Sequence, residues 1–316
     1  MTNQIKMPEA VLQAKDTYHL LKVKNKAAIA IFECLLFIGV FYSGAVAHGM
    51  GAGMLAGIIS GFSGGKMTIM ELAQQDWFMP IDLCTRIVYT LLATLVAVFY
   101  QKRKLITLGY TKKGIVKQYL IGIIAGLAIF SAAVGIAAVT GSASLSINHE
   151  ALNVPLFLAI IAGWCIQGMS EEVVCRSFTL VSMTRKLPVP VAVILSSLAF
   201  ASIHLGNSGI SPLAFVNLTL FGIFAGVVFL RTGNIWLVSA IHSVWNFAQG
   251  NIYGILVSGG FTGPHLLTTS FNAGKTLING GDFGLEGGLA VTAVLVIGTL
   301  LTIFFPSLKK DGAIKE

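Results

Sequence analysis

Gly168-Met169-Ser170-Glu171-Glu172-Val173-Val174-Cys175-Arg176 is a charged stretch set inside an apolar run over residues 154–183. Roughly 20 apolar residues suffice to cross a bilayer as a helix. Charges inside such a run are costly, and by default they mark function. Reading outward from it, apolar runs recur at about 27–47, 78–100, 119–140, 189–204, 213–230, 235–257 and 288–305. With 154–183 they predict eight transmembrane helices. The expected fold is an all-α, polytopic integral membrane protein with an intramembrane polar site.

Composition agrees. Hydrophobic residues make up 55% of the 316 and charged residues only 11%, where a soluble domain carries roughly 25%. So few charges cannot coat a soluble surface, and so apolar a chain is not disordered. The net charge of +8 does not call for nucleic acid, because the basic residues flank the spans. On an eight-helix reading, seventeen of the 21 basic residues fall on one side. They include Lys6 to Lys26, Lys102 to Lys117, Arg185, Lys186, Arg231 and the last three lysines. The other side holds only Lys66 and Lys275. The positive-inside rule then places both termini in the cytoplasm. The compact, lysine-rich form points to a bacterial plasma membrane.

The organisation follows. Residues 1–26 form a cytoplasmic segment, with an interfacial helix expected over 8–23, where Val11, Leu12, Tyr18 and Leu21 oppose lysines. Residues 27–147 carry the first three spans, 148–306 the last five, and 307–316 a cytoplasmic tail. Ala45-Val46-Ala47 resembles a signal cleavage site, but the preceding polar region is long and Glu33 interrupts the apolar stretch. Gly51–Gly65 reads as a flexible external connection. Residues 259–287 read as a Gly-rich external loop or a partly re-entrant element. Cys34, Cys84, Cys165 and Cys175 lie in apolar runs without a CxxC pair, and read as buried free thiols. Glu33 and Arg86 are candidates for an interhelical ion pair, with snorkelling the alternative for Arg86.

Inside the fourth span, Glu172 and Arg176 are four residues apart and share a helix face. Glu171, about 100° around the helix, is left to point elsewhere. Two adjacent carboxylates in a low dielectric do not both ionise cheaply, which suits one of them to acid–base work. The fifth span ends in Phe200-Ala201-Ser202-Ile203-His204, and the seventh contains His242-Ser243-Val244-Trp245-Asn246. Alone, each is an ordinary interhelical contact. At about 1.5 Å per residue, however, Glu171, His204, His242 and Asn246 reach a common layer of the membrane.

The order EExxxR, FxxxH, HxxxN on separate helices resembles the CPBP family of intramembrane glutamic endopeptidases, the CAAX protease and bacteriocin-processing (Abi-type) family. The stretches Gly233-Asn234-Ile235-Trp236 and Phe283-Gly284-Leu285-Glu286-Gly287-Gly288 add to the likeness, which covers about 154–305. The resemblance implies a metal-independent peptidase acting on a membrane-associated peptide or protein, with no cofactor. Glu171 would be the general base, His204 would help hold the water, and His242 and Asn246 would donate to the oxyanion. Glu172 and Arg176 would orient the base. Where the family pattern expects a bulky apolar residue before the arginine and often glycine after it, this chain has Cys175 and Ser177.

Other readings stay open at this stage. Zinc on Glu171, His204 and His242 is one, although no HExxH is present. A serine mechanism through Gly206-Asn207-Ser208-Gly209 with His242 is another. Asp282 lacks the tetrad of an aspartyl protease. A non-catalytic immunity or regulatory scaffold and a proton-relaying transporter are the non-peptidase classes.

Overall fold

The computed structural model describes residues 8–15, 25–62, 64, 68, 71–72, 75–112, 114–260 and 263–304. It is an all-α polytopic membrane fold. Each of the eight apolar segments read from the sequence is helical, because a backbone in hydrocarbon must bond to itself. Lys26–Phe62, Asp76–Tyr100, Ile115–Val139, Val154–Thr184 and Pro212–Thr232 are long and apolar enough to cross a membrane. Val189–Ser202 and Leu289–Phe304 are shorter apolar helices. Ile235–Phe247 is the helix of the remaining apolar segment. Large apolar side chains such as Ile31, Leu35, Phe99, Ile124 and Leu158 are exposed, as lipid-facing positions require.

We number the helices used below α1 (Glu9–Lys15), α2 (Lys26–Phe62), α3 (Met79–Thr85), α4 (Ile87–Leu95), α5 (Ile115–Val139) and α6 (Val154–Glu172). Then follow α7 (Val181–Thr184), α8 (Val189–Ser202), α9 (Pro212–Thr232), α10 (Ile235–Phe247), α11 (Thr276–Asn279) and α12 (Leu289–Phe304). Of the expected interfacial helix over 8–23, α1 is the part within the described residues. The C-terminal tail lies outside them.

Three expectations are corrected. The Gly51–Gly65 connection is helical through Phe62, as the end of α2. Ala, Met, Leu and Ile between its glycines keep it apolar, and glycine is tolerated in membrane helices. The Glu33–Arg86 pair does not form. Glu33 meets Arg185 at 3.4 Å, and Arg86 meets Asp82 on its own span at 3.0 Å. The 259–287 segment is a folded cap. Its strand β2 (Leu267–Phe271) pairs antiparallel with β1 (Ala143–Ile147), Ala143 opposite Phe271 and Ile147 opposite Leu267. Its Asn279 is fully buried and donates to the carbonyls of Ser142 and Asn272.

The helices that carry the polar motifs pack closely. A Cβ on Gly168 of α6 would lie 2.5 Å from the Ser243 hydroxyl and 2.7 Å from its amide nitrogen on α10. Small residues are what allow backbones to approach in a membrane. At the basic end of the bundle, Arg103 is buried and donates to the carbonyls of Ser177, Phe178 and Thr107. Its Nε bonds the Thr107 hydroxyl. Burial, with Arg185 nearby, pushes Arg103 down to about 9, which leaves it a cation at neutral pH.

Candidate active site

The regular α6 ends at Glu172, and the chain widens into a π-helix over Val173–Leu180 before resuming at α7. Such bulges free backbone carbonyls and often sit at functional sites. Here the freed groups have partners. Arg103 takes the Ser177 and Phe178 carbonyls, and the Thr179 hydroxyl donates to the Val174 carbonyl. Ser177, which departs from the expected glycine, donates its hydroxyl to the Leu108 carbonyl at 2.6 Å.

The Glu172 side chain is fully buried, and its Oε1 lies 3.1 Å from Arg176 Nη1. The same oxygen lies 2.7 Å from His242 Nδ1. The Arg176 guanidinium rests on the Phe200 ring, 4.6 Å from its centroid. Glu171 points elsewhere, as the 100° step requires. Its Oε1 accepts from Gln167 Nε2 at 2.6 Å. Its Oε2 lies 3.7 Å from His242 Nε2 and is buried without a hydrogen-bond partner among the described residues.

A cavity of about 380 Å³ gathers Glu171, His204, His242 and Asn246 along its wall. These are the four residues expected to share one membrane layer. Glu172 and Arg176, also expected at the site, do not line it and stand behind it. His242 turns Nδ1 toward Glu172 and Nε2 toward Glu171. His204 Nδ1 bonds the Phe200 carbonyl at 3.0 Å, which leaves Nε2 as its second polar atom. The rings of Phe200 and Phe221 flank His242, with centroids 5.9 and 4.9 Å away.

Three features were not assigned to the site from the sequence. Gln167 joins two of the site residues, because its Oε1 accepts from Asn246 Nδ2 at 2.9 Å while its amide holds Glu171. Its position four before Glu171 was the available signal. Asp82 and Arg86 also line the cavity, and Asp82 Oδ1 lies 3.2 Å from His48 Nε2. Their own i, i+4 spacing was legible. Glu286 also lines the cavity. Its carboxylate accepts from Trp245 Nε1, the Ser258 amide and the Ser258 hydroxyl.

The other sequence candidates separate from this arrangement. No group of three His, Cys, Asp or Glu side chains among the described residues is placed to hold a metal ion. Glu171, His204 and His242 thus share a cavity without converging on one point. Ser208 sits at the cavity rim, but both His242 nitrogens face glutamates. Asp282 lies in the turn Gly281–Phe283, outside the cavity. The four cysteines are free thiols.

Residues 153–248 match the family model described as type II CAAX prenyl endopeptidase Rce1-like. The segment is less than a third of the chain, yet it contains every residue from Glu171 to Asn246 discussed above. The chain carries a Rce1-like segment, consistent with the CPBP resemblance read from its motifs. The match supports an intramembrane endopeptidase in general. Comparisons with curated proteins and with solved structures gave no match.

Proposed function

We propose that the chain is a glutamate-dependent intramembrane endopeptidase that cleaves a membrane-associated peptide or protein. The observation that carries the reading is Glu171. It is a carboxylate on a cavity wall, oriented by Gln167 through one oxygen and presenting the other, unbonded, beside two imidazoles. Peptide hydrolysis needs a base that takes a proton from water, and donors where negative charge develops.

In this mechanism Glu171 removes a proton from a water held with His204. The resulting hydroxide attacks the scissile carbonyl carbon. His242, through Nε2 when protonated, and the second amide hydrogen of Asn246 stabilise the oxyanion. Glu171 then returns its proton to the amide nitrogen as the C–N bond breaks. Glu172 and Arg176 act as positioning residues, with Glu172 fixing the orientation and tautomer of His242.

The test is cleavage of a peptide library by the purified full chain in liposomes. Glu171→Gln, Ser208→Ala and EDTA are run in parallel. Cleavage lost in Glu171→Gln, retained in Ser208→Ala and indifferent to EDTA is the expected result. Loss with EDTA would replace this reading by a metal mechanism, and loss in Ser208→Ala by a serine one. In vivo function that survives Glu171→Gln would point to a binding scaffold.

A further inference from the structure

The cavity wall runs from buried side chains at one end to exposed residues at the other. Val174, Cys175, Phe200 and Phe221 close it on one side, all buried. At the other, Ser208 and Gly260 line it and are exposed. Ser208 belongs to the connection from α8 to α9, and Gly260 to the segment after α10. On the eight-span reading, both connections lie on the face that carries only Lys66 and Lys275. Met79, at the start of the second span on that same face, lines the cavity too. None of the basic residues Lys112, Arg185, Lys186 or Arg231, which mark the opposite face, lines it.

We propose that the chamber is entered from the face of the membrane opposite the basic residues, and that its substrate is a peptide segment displayed on that face. The proposal rests on the peptidase reading above. The passage offers polar groups to a peptide backbone and to water, set among apolar Met79, Ile203 and Val257. Asp82, Arg86, Asn207 and Ser258 supply charged and hydrogen-bonding groups along it. Its outer wall is a built structure. Asn207 Nδ2 donates to the Ser258 carbonyl at 3.0 Å, and the Ser258 amide and hydroxyl are held by Glu286 at 2.8 and 2.7 Å. Ser258 itself is held at φ 47°, a left-handed conformation uncommon for serine that surroundings of this kind enforce. A cytoplasmic tail would meet the buried floor around Cys175 and Phe200 instead of the mouth.

The experiment uses the full chain without its native cysteines (Cys34→Ser, Cys84→Ser, Cys165→Ser, Cys175→Ala). Single cysteines are placed at Ser208→Cys on the mouth, Gly206→Cys beside it and Lys112→Cys on the basic face. A Cβ at Gly206 meets nothing within 4 Å, so this variant guards against misfolding at Ser208. A membrane-impermeant maleimide is added to intact cells and to inverted vesicles. The expected result is labelling at Ser208→Cys and Gly206→Cys in intact cells, with Lys112→Cys labelled only after inversion. The reverse pattern, or labelling of mouth and basic loop from one side, overturns the proposal. Peptide is then supplied to one side at a time of sealed, oriented liposomes, with Glu171→Gln as control. Cleavage only from the basic side overturns the proposal. With the expected labelling, absence of cleavage from either side overturns the peptidase reading and the proposed substrate, while the face of access stands.

Discussion

Glu171 and Glu172 are neighbours in sequence, and their substitution by glutamine should have opposite signatures. Glu172 is fully buried and shares one oxygen between Arg176 and His242. Glu172→Gln keeps the volume but removes the charge, leaving the buried Arg176 without its ion-pair partner. Breaking a buried pair by removing one member costs about 3–5 kcal/mol. An isosteric amide that still accepts a hydrogen bond belongs at the lower end, about 3 kcal/mol. At roughly 2 °C per kcal/mol for a chain of this size, the unfolding midpoint should fall by about 6 °C. Glu171→Gln removes a charge from a cavity wall, where the amide can still meet Gln167 and the carboxylate repulsion with Glu172 is relieved. Its stability should stay within about 1 kcal/mol of the parent, on the scale of a changed hydrogen bond. Cleavage should nevertheless drop roughly 10²–10⁴-fold, as loss of a general base requires. The assay is thermal unfolding in detergent, paired with cleavage of one peptide by the same preparations. A Glu172→Gln protein as stable as the parent would refute the buried-pair argument. A Glu171→Gln protein that keeps its activity, or loses stability as Glu172→Gln does, would refute the division of roles.

Three further outcomes are expected. Gln167→Leu should lower kcat roughly tenfold or more with KM little changed, as loss of transition-state alignment does, because it frees both Glu171 and Asn246; steady-state kinetics with one peptide checks the split. Gly168→Ala should reduce activity without changing any polar residue of the cavity, because its methyl would collide with the Ser243 hydroxyl and backbone and push α10, which carries His242, away from α6; the check is cleavage beside a stability lowered by about 1–3 kcal/mol, as overpacking costs. Arg103→Met should remove the buried donor that the Ser177, Phe178 and Thr107 carbonyls share and lower stability by about 1–3 kcal/mol, with the midpoint in detergent as readout.

How far the sequence could be read follows from what each feature depends on. The helices were legible because hydrocarbon admits so few backbone structures, and an apolar run at 119–140 has little alternative to α5. The end of α2 was misread because glycines that signal turns in water are ordinary in a membrane helix. The β1–β2 pair was missed because its two short strands lie far apart in the chain, and neither is marked without the other. At the site, the direction of Glu171 followed from helix geometry alone, and Gln167 was within reach of the same i, i+4 logic. The partner of Glu33 was not legible. Arg86 and Arg185 were both available to it, and only the packing of α2 against α7 selects Arg185. The π-helix lies deeper still, since it is stabilised by Arg103 from a different connection, and no local pattern in Val173–Leu180 announces it. A polar residue in an apolar chain therefore reveals its importance readily and its partner poorly. Rarity makes it conspicuous, but its role is set by which other rare residue the fold brings within about 3 Å. Glu172 illustrates the point. Its spacing announced Arg176, while the bond to His242 that ties the buried pair to the cavity wall comes from a helix 70 residues away.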